Sequence, residues 1–485
     1  MRDVRSSILY SFLDRYLNLA IGIASTVVLA RLLSPAETGL YSIAYGLVNI
    51  AQELRNFGTG PYILQERELT DRKIASALGL SLTIATAMGG AFYLAADAIA
   101  AFYANPALAA IIRVLCLNFV VVAFAAISGA QLLRDMKFRE SMVISVATIL
   151  VRAATSIVLA ARGFGAISLA WGGLAGMVVT AVGNCLVLGR GGLILPRFRD
   201  WRTLVHFGLL SSGGGLLSSL ADRAPDLVIG RLVSLEGAGL FSRGNGLITL
   251  FRTALTSAVD GVIGSNLAML HRDRRDVREP LLRIFGTLSA VGWPALCVLG
   301  LLAHPIIVLM FGPNWTGAVE VAQILCGGTA LALVGNVCRI YLISTGAMRA
   351  NFLIQAVSVP VYVAGIAAGS LLSLEAAAGG AAATGGLITV LSLEVLRRRI
   401  GLGWPAIGRS LLPSVAITAA TALPPLAVIA ASGGAGQSLW PPTLLAAFAA
   451  ALSWLAAIHA LRHPLRQEVA LAGTWLSRRL ARAAK

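Results

Sequence analysis

The chain has 485 residues, 57% of them hydrophobic and 13% charged, with 39 Lys and Arg against 22 Asp and Glu for a formal charge of +17. A mean hydropathy of +0.81 is incompatible with a water-soluble surface over that length, so the composition dictates an all-α polytopic membrane protein without a sizeable soluble domain. The basic excess lies in short segments between apolar runs, which assigns it to membrane topology and excludes nucleic acid as a partner.

The opening MRDVRSS runs into an apolar stretch with no small-residue cleavage site at the expected distance, and it reads as a retained first helix. Crossing a hydrocarbon layer takes about 20 apolar residues. Runs of that kind fall at 8–33, 39–58, 75–101, 107–131, 141–161, 165–189 and 204–233. They continue at 238–262, 282–311, 317–345, 350–372, 377–396, 407–432 and 441–461. The expected count is fourteen helices, or twelve, since no strong turn separates Leu372 from Gly380 and the last pair is weak. Alternate connections carry the cations: Arg67, Arg72 and Lys73; Arg134, Lys137 and Arg139; Arg190 to Arg202; Arg272 to Arg278; Arg349; Arg397 to Arg399; and the tail. The intervening ones, such as Ala104 to Pro106 and Gly312 to Thr316, are nearly uncharged. The basic loops and both termini are therefore expected in the cytoplasm.

Residues 27–47 and 227–247 align without a gap at an offset of 200, sharing Arg31/Arg231, Ser34/Ser234, Gly39/Gly239, Ser42/Ser242 and Gly46/Gly246 among others. Six helices per copy is an even number, so both copies enter the membrane from the same face, as parallel repeats. The expected organisation is a six-helix lobe over 1–197, a pseudo-symmetric second lobe over 198–400, an appended helix pair over 401–462 and a basic amphipathic tail over 463–485. The two lobes are expected to enclose a central cleft.

On the second helix Tyr41, Tyr45, Asn49, Gln52, Glu53 and Asn56 share one face, and the offset maps them to Phe241, Asn245, Thr249, Arg252, Thr253 and Thr256. A polar stripe in hydrocarbon is costly unless it lines a cavity or meets a partner. On the first helix Ser11, Asp14, Asn18, Gly22 and Ser25 correspond to Ser211, Gly214, Ser218, Asp222 and Pro225. Breaks in the seventh helix are expected at Gly213 to Gly215 and at Asp222 to Asp226. The candidate cleft residues are Asp14, Arg15, Asn18, Asn49, Gln52, Glu53, Asp222, Arg223, Asn245 and Arg252. A plainer reading pairs Asp14 with Arg15, Glu53 with Arg55 and Asp222 with Arg223 as local neutralising pairs. Arg31, Glu37, Arg231 and Glu236 close the repeated turn and are candidates for an outer gate, with Arg31 facing Glu236 and Arg231 facing Glu37. Arg113, Arg152, Arg243 and Arg339 lie off the stripes and read as packing or interface anchors.

The five cysteines stand singly in apolar runs and the five histidines do not cluster, so no metal or catalytic set is expected. No cofactor is expected either; Asp222 or Glu53 could bind a coupling proton or sodium ion.

Two segments carry a family resemblance. ARLLSPAETGLYSIAYGLVNIAQELRNFGTGPYILQE, Ala30 to Glu66, resembles the opening signature of Wzx-type polysaccharide flippases of the multidrug/oligosaccharidyl-lipid/polysaccharide superfamily. MFGPNWTGAVEVAQIL, Met310 to Leu325, is similar to their turn after the ninth helix. The resemblance implies a MATE- or MurJ-like fold. It also implies export of an oligosaccharide linked to undecaprenyl pyrophosphate across the inner membrane of a bacterium, for O-antigen, capsule or exopolysaccharide synthesis. The implied partners are that lipid-linked oligosaccharide, membrane lipids, a polysaccharide polymerase and a chain-length regulator. A multidrug antiporter of the same superfamily is the nearest rival. A membrane polymerase or glycosyltransferase, the rival of another class, would need a long outer loop with acids or histidines that the chain lacks.

Overall fold

In a computed structural model the described residues are 2–56, 59–189, 195–197, 201–431 and 441–466, with side chains not described at 2–9, 54–56, 61, 65, 201–214 and 256–259. The loop expected at 432–439 and most of the tail, 467–485, lie outside them. The described residues contain helices and no strand. In order they are α1 (Arg2–Leu32), α2 (Pro35–Asn56), α3 (Thr59–Gln65), α4 (Asp71–Phe102), α5 (Ala107–Arg134), α6 (Phe138–Ala161), α7 (Ile167–Leu188) and α8 (Trp201–Leu232). There follow α9 (Leu235–Arg272), α10 (Arg278–Leu301), α11 (Ala303–Phe311), α12 (Ala318–Ser344), α13 (Met348–Ser370), α14 (Leu374–Ile400), α15 (Trp404–Ala431) and α16 (Pro441–Ala460). Among the described residues eleven of these are long and apolar enough to span a membrane, and α9 makes twelve if its bent halves form one span. With α2 and α8, which are equally long but fall outside that apolar set, the long helices match the fourteen expected runs.

Three local departures have physical causes. The expected run 282–311 breaks at Leu302, because Pro305 has no N–H for the carbonyl of Leu301, and the proline sits instead in the first turn of α11. α8 is one continuous helix through Gly213 to Gly215 and Pro225, so the expected breaks are corrected. In hydrocarbon an opened turn leaves backbone groups unsatisfied, and that cost favours carrying glycine and proline within the helix. α3 was not expected; it sits between α2 and α4, where Arg134 donates to the carbonyls of Ile63 (2.6 Å), Glu66 (2.5 Å) and Arg67 (3.3 Å). The ambiguous boundary near Leu372 is set by Ser373, whose hydroxyl accepts from the N–H of Ala376 at 3.0 Å as an N-cap.

The chain divides into two compact units, Met1–Ser242 with Met310–Asn314, and Arg243–Leu309 with Trp315–Lys485. In the first, α6 packs on α1 and α7, α5 on α4 and α7, and α2 on α8. Its core includes Ile63 of α3 together with Leu78 and Ile127. In the second, α10 packs on α12 and α15, α14 on α12 and α13, and α15 on α16. Leu267, Phe285, Val337 and Leu396 are at its centre.

Candidate functional site

α2 begins with reciprocal capping. Ser34 donates its N–H (2.8 Å) and hydroxyl (3.0 Å) to Glu37, whose own N–H reaches the Ser34 oxygen at 3.2 Å, with Pro35 in the first helical position. The second copy keeps half of this: the N–H of Gly237 reaches Ser234 at 2.9 Å, but the acid is displaced to Glu236. The two starts cross at glycines. A Cβ on Gly39 would lie 1.8 Å from the carbonyl oxygen of Leu235, and one on Gly239 would lie 1.9 Å from that of Pro35. One turn further on, Ser42 and Ser242 share a hydrogen bond of 3.1 Å. Residues 200 apart thus meet their own counterparts, which is the signature of a local two-fold axis between the two repeated segments.

Below that crossing α2 and α8 build a cationic site within the first unit. The rings of Tyr41 and Tyr45 stack at 5.7 Å. The Arg223 guanidinium lies 4.9 Å over Tyr45 and donates through Nε to Asn49 Oδ1 at 3.3 Å. Ser219 donates to the same oxygen at 3.3 Å. At Gly46 the two helices are in ordinary contact, with Arg223 Cβ 3.6 Å from where a Cβ would be. Ser219, Arg223 and Asp226 fall on one face of α8 at spacings of four and three. Asp226 is buried, and Arg223 is the cation acting on it. Arg223 is half-buried, and a cation over a ring in that setting is held by about 1 kcal/mol. The terminal nitrogens of Arg223 donate to no acceptor among the described residues, so the fork that pairs bidentately with phosphate oxygens is unspent.

The other candidates sort by position. Asp14 is bonded by Asn18 rather than Arg15: Asn18 donates to the Asp14 carboxylate at 2.7 Å and to Ser145 of α6 at 2.9 Å, while Arg15 is exposed. Glu53 lies beside Gly215 of α8, its Oε2 3.4 Å from where a Cβ would stand. Gln52 is half-buried, and Asp222 is exposed, off the face that carries Arg223. Of the gate candidates, Glu37 is spent on its own helix start and Arg231 lies 5.0 Å over Phe102, so these two are not paired with each other; Arg31 and Glu236 are exposed. In the second unit Asn245 is half-buried and Arg252 exposed. Thr256 lies outside the residues whose side chains are described. Among the described residues no group of His, Cys, Asp and Glu could hold a metal ion.

Comparison with known proteins bears on this arrangement. The model of the family described as polysaccharide biosynthesis protein matches residues 28–320, more than half of the chain and including the Ala30–Glu66 segment. The chain belongs to the polysaccharide biosynthesis protein family. Within that family it is 23% identical over 329 residues to the lipopolysaccharide biosynthesis protein WzxC of Escherichia coli strain K12, covering 66% of this chain and 65% of that one. It is 25% identical over 329 residues to the succinoglycan biosynthesis transport protein ExoT of Rhizobium meliloti strain 1021, covering 67% and 66%. The chain thus matches just under two thirds of the length of each. The structure of the lipid II flippase MurJ in an inward closed conformation is similar over 95% of this chain and all of that one, with a TM-score of 0.78 at 14% identity, which establishes a common fold.

For this family member two further charged residues lie near the site, of which Arg152 had been read as an anchor. Arg152 of α6 acts electrostatically on Tyr41, and Asp226 is buried within reach of the Arg223 charge. The spacing Ser219, Arg223, Asp226 was the available signal for the acid. Arg152 gave none, because its helix carries no stripe of its own. In the second unit Asn336 donates to Asp260 at 3.3 Å and accepts from Arg339 at 2.7 Å, a polar cluster between α9 and α12.

Proposed function

We propose that this chain is a flippase that carries an oligosaccharide linked to undecaprenyl pyrophosphate from the inner to the outer leaflet of a bacterial cytoplasmic membrane, by alternating access, for O-antigen, capsule or exopolysaccharide assembly. The observation that carries the proposal is Arg223: a half-buried guanidinium on α8, oriented by Tyr45 and Asn49, with its terminal donors unused. A sugar pyrophosphate cannot cross hydrocarbon unaided, since its anionic oxygens would lose their hydration. Arginine offsets that charge at any physiological pH and matches two oxygens at once. The names of WzxC, ExoT and MurJ support a lipid-linked glycan as cargo. Both termini are assigned to the cytoplasm by the basic loops. A carboxylate of the α2/α8 region, Glu53, Asp222 or Asp226, serves a coupling proton or sodium ion, and a polymerase with its chain-length regulator receives the product. A cationic amphiphile would be repelled by Arg223, which disfavours the multidrug reading.

The test is deletion followed by lipid extraction. Prenyl-linked oligosaccharide accumulating on the inner leaflet supports the proposal, and unchanged surface polysaccharide overturns it. Complementation by Arg223→Gln should fall at least tenfold, about 1.4 kcal/mol, and Arg223→Lys should restore only part of the loss because lysine lacks the fork.

A further inference from the structure

One ion pair stands away from every element of that site. Arg113 of α5 donates through Nη2 to Asp97 Oδ2 of α4 at 2.6 Å, and its guanidinium lies 5.5 Å over the ring of Tyr93. The Asp97 side chain is 73% exposed and that of Arg113 39%. The faces they stand on are otherwise apolar and exposed: Ala91, Leu94 and Ala98 on α4, Ala110 and Leu117 on α5. Leu94 is 82% exposed. An outward face of that composition on a membrane helix meets lipid, where a charged pair is costly unless something repays it.

Depth narrows what that is. The 32 residues of α4 extend about 48 Å, and a hydrocarbon core of about 30 Å leaves about 9 Å at each end. Asp97 is five residues before Phe102, about 7 Å from the helix end, and Arg113 is six residues into α5, about 9 Å from its start. Both stand where acyl chains give way to head groups, in the leaflet at the uncharged Ala104 to Pro106 turn, with the arginine slightly the deeper. Each has capacity left over: Asp97 its second oxygen, and Arg113 its Nη1.

We propose that Asp97, Arg113 and Tyr93 form a lateral binding site for a zwitterionic phospholipid with a primary ammonium head group. Its phosphate, the inner charge of the head group, meets Arg113, and its ammonium, the outer charge, meets the open oxygen of Asp97. The glycerol backbone lies against Tyr93 and the acyl chains along Leu94 and Leu117. An anionic lipid would bring its charge against Asp97. A quaternary ammonium head group would offer that carboxylate no N–H donor. Opposite charges side by side at one depth complement a head group that carries both.

The experiment is native mass spectrometry of the full-length protein in detergent, with equal amounts of phosphatidylethanolamine, phosphatidylglycerol and phosphatidylcholine of identical acyl chains. The wild type should retain the ethanolamine lipid about fivefold over either competitor, the worth of one partly exposed charged contact. Asp97→Asn should reverse the order in favour of phosphatidylglycerol, because Arg113 then stands alone. Asp97→Leu with Arg113→Leu, which restores an apolar face, should abolish all preference. Equal or better retention of phosphatidylglycerol or phosphatidylcholine by the wild type overturns the proposal, as does an unchanged order in Asp97→Asn. The wild-type comparison decides the matter even where a variant does not fold.

Discussion

Gly39→Ala should destabilise the protein more than any other single methyl added to α2. The new Cβ would sit 1.8 Å from the Leu235 carbonyl oxygen and 2.8 Å from the Gly239 nitrogen, and neither obstacle is a side chain that can swing away. A tolerable carbon–oxygen contact is about 3.3 Å, so the starts of α2 and α9 would have to part by about 1.5 Å. Overpacking of that kind costs about 3 kcal/mol, the upper end of its range, against about 1 kcal/mol regained from alanine's better helix propensity. The net loss is about 2 kcal/mol. Gly46→Ala on the same helix is the control, because its nearest neighbour is a flexible Leu227 methyl at 3.4 Å. It should be neutral or stabilising by up to about 1 kcal/mol. Thermal unfolding in detergent, followed by a thiol-reactive dye that reports exposure of the five cysteines, three of them buried, gives the ranking. Adding Gly239→Ala to Gly39→Ala should cost less than the sum, since helices already parted for one methyl admit the second. Equal melting of Gly39→Ala and Gly46→Ala would refute the reasoning.

Ser42→Ala should cost up to about 1 kcal/mol and the double change with Ser242→Ala less than twice that, a coupling that a double-mutant cycle on melting reads directly. Arg134→Lys loses the fork that holds three carbonyls, so trypsin should cut at Arg67 severalfold faster; an unchanged rate would remove Arg134 as the clamp of α3. The Lys73 ammonium, bonded to Glu66 at 3.2 Å, holds that carboxyl below the usual glutamate range. A lowered acid contributes stability that is present above its unfolded value, about 4.3, and lost as the pH falls through the lowered one. Hydrogen exchange around Glu66, corrected for intrinsic rate, should therefore stay slow from pH 7 to pH 5 and quicken only in stronger acid, whereas Lys73→Met should bring that change to higher pH.

The helix count was legible because apolar runs and alternating loop charges carry the same information twice, and the fold needs little more. Local chemistry near a proline was harder to read. Pro225 and Pro305 look alike in sequence, yet the first lies within a helix packed along α2 and the second follows the break between α10 and α11. Within the candidate site Asn49 stood on the stripe read for α2, but its partner Arg223 did not stand on the stripe read for α8, which ran through Ser218 and Asp222. The plainer pairing of Asp14 with Arg15 fails on geometry, since neighbours in a helix point about 100° apart, while Asn18, one turn on, stacks above the acid. Glu37 also caps its own helix start, a role that its place in S-P-A-E announces and that was not read from the sequence. Arg113 was dismissed as an anchor because its partner lies in the preceding helix, and no spacing rule joins the two.

Gly39 and Gly239 touch each other, as do Ser42 and Ser242, and this bears on how the chain ages. Where a position faces its own copy, exchanging the two letters changes nothing, and altering one of them burdens both. Drift can rewrite the rest of a duplicated gene one half at a time, but here it must find two compatible changes together. Both of these self-facing pairs are identical in the two copies.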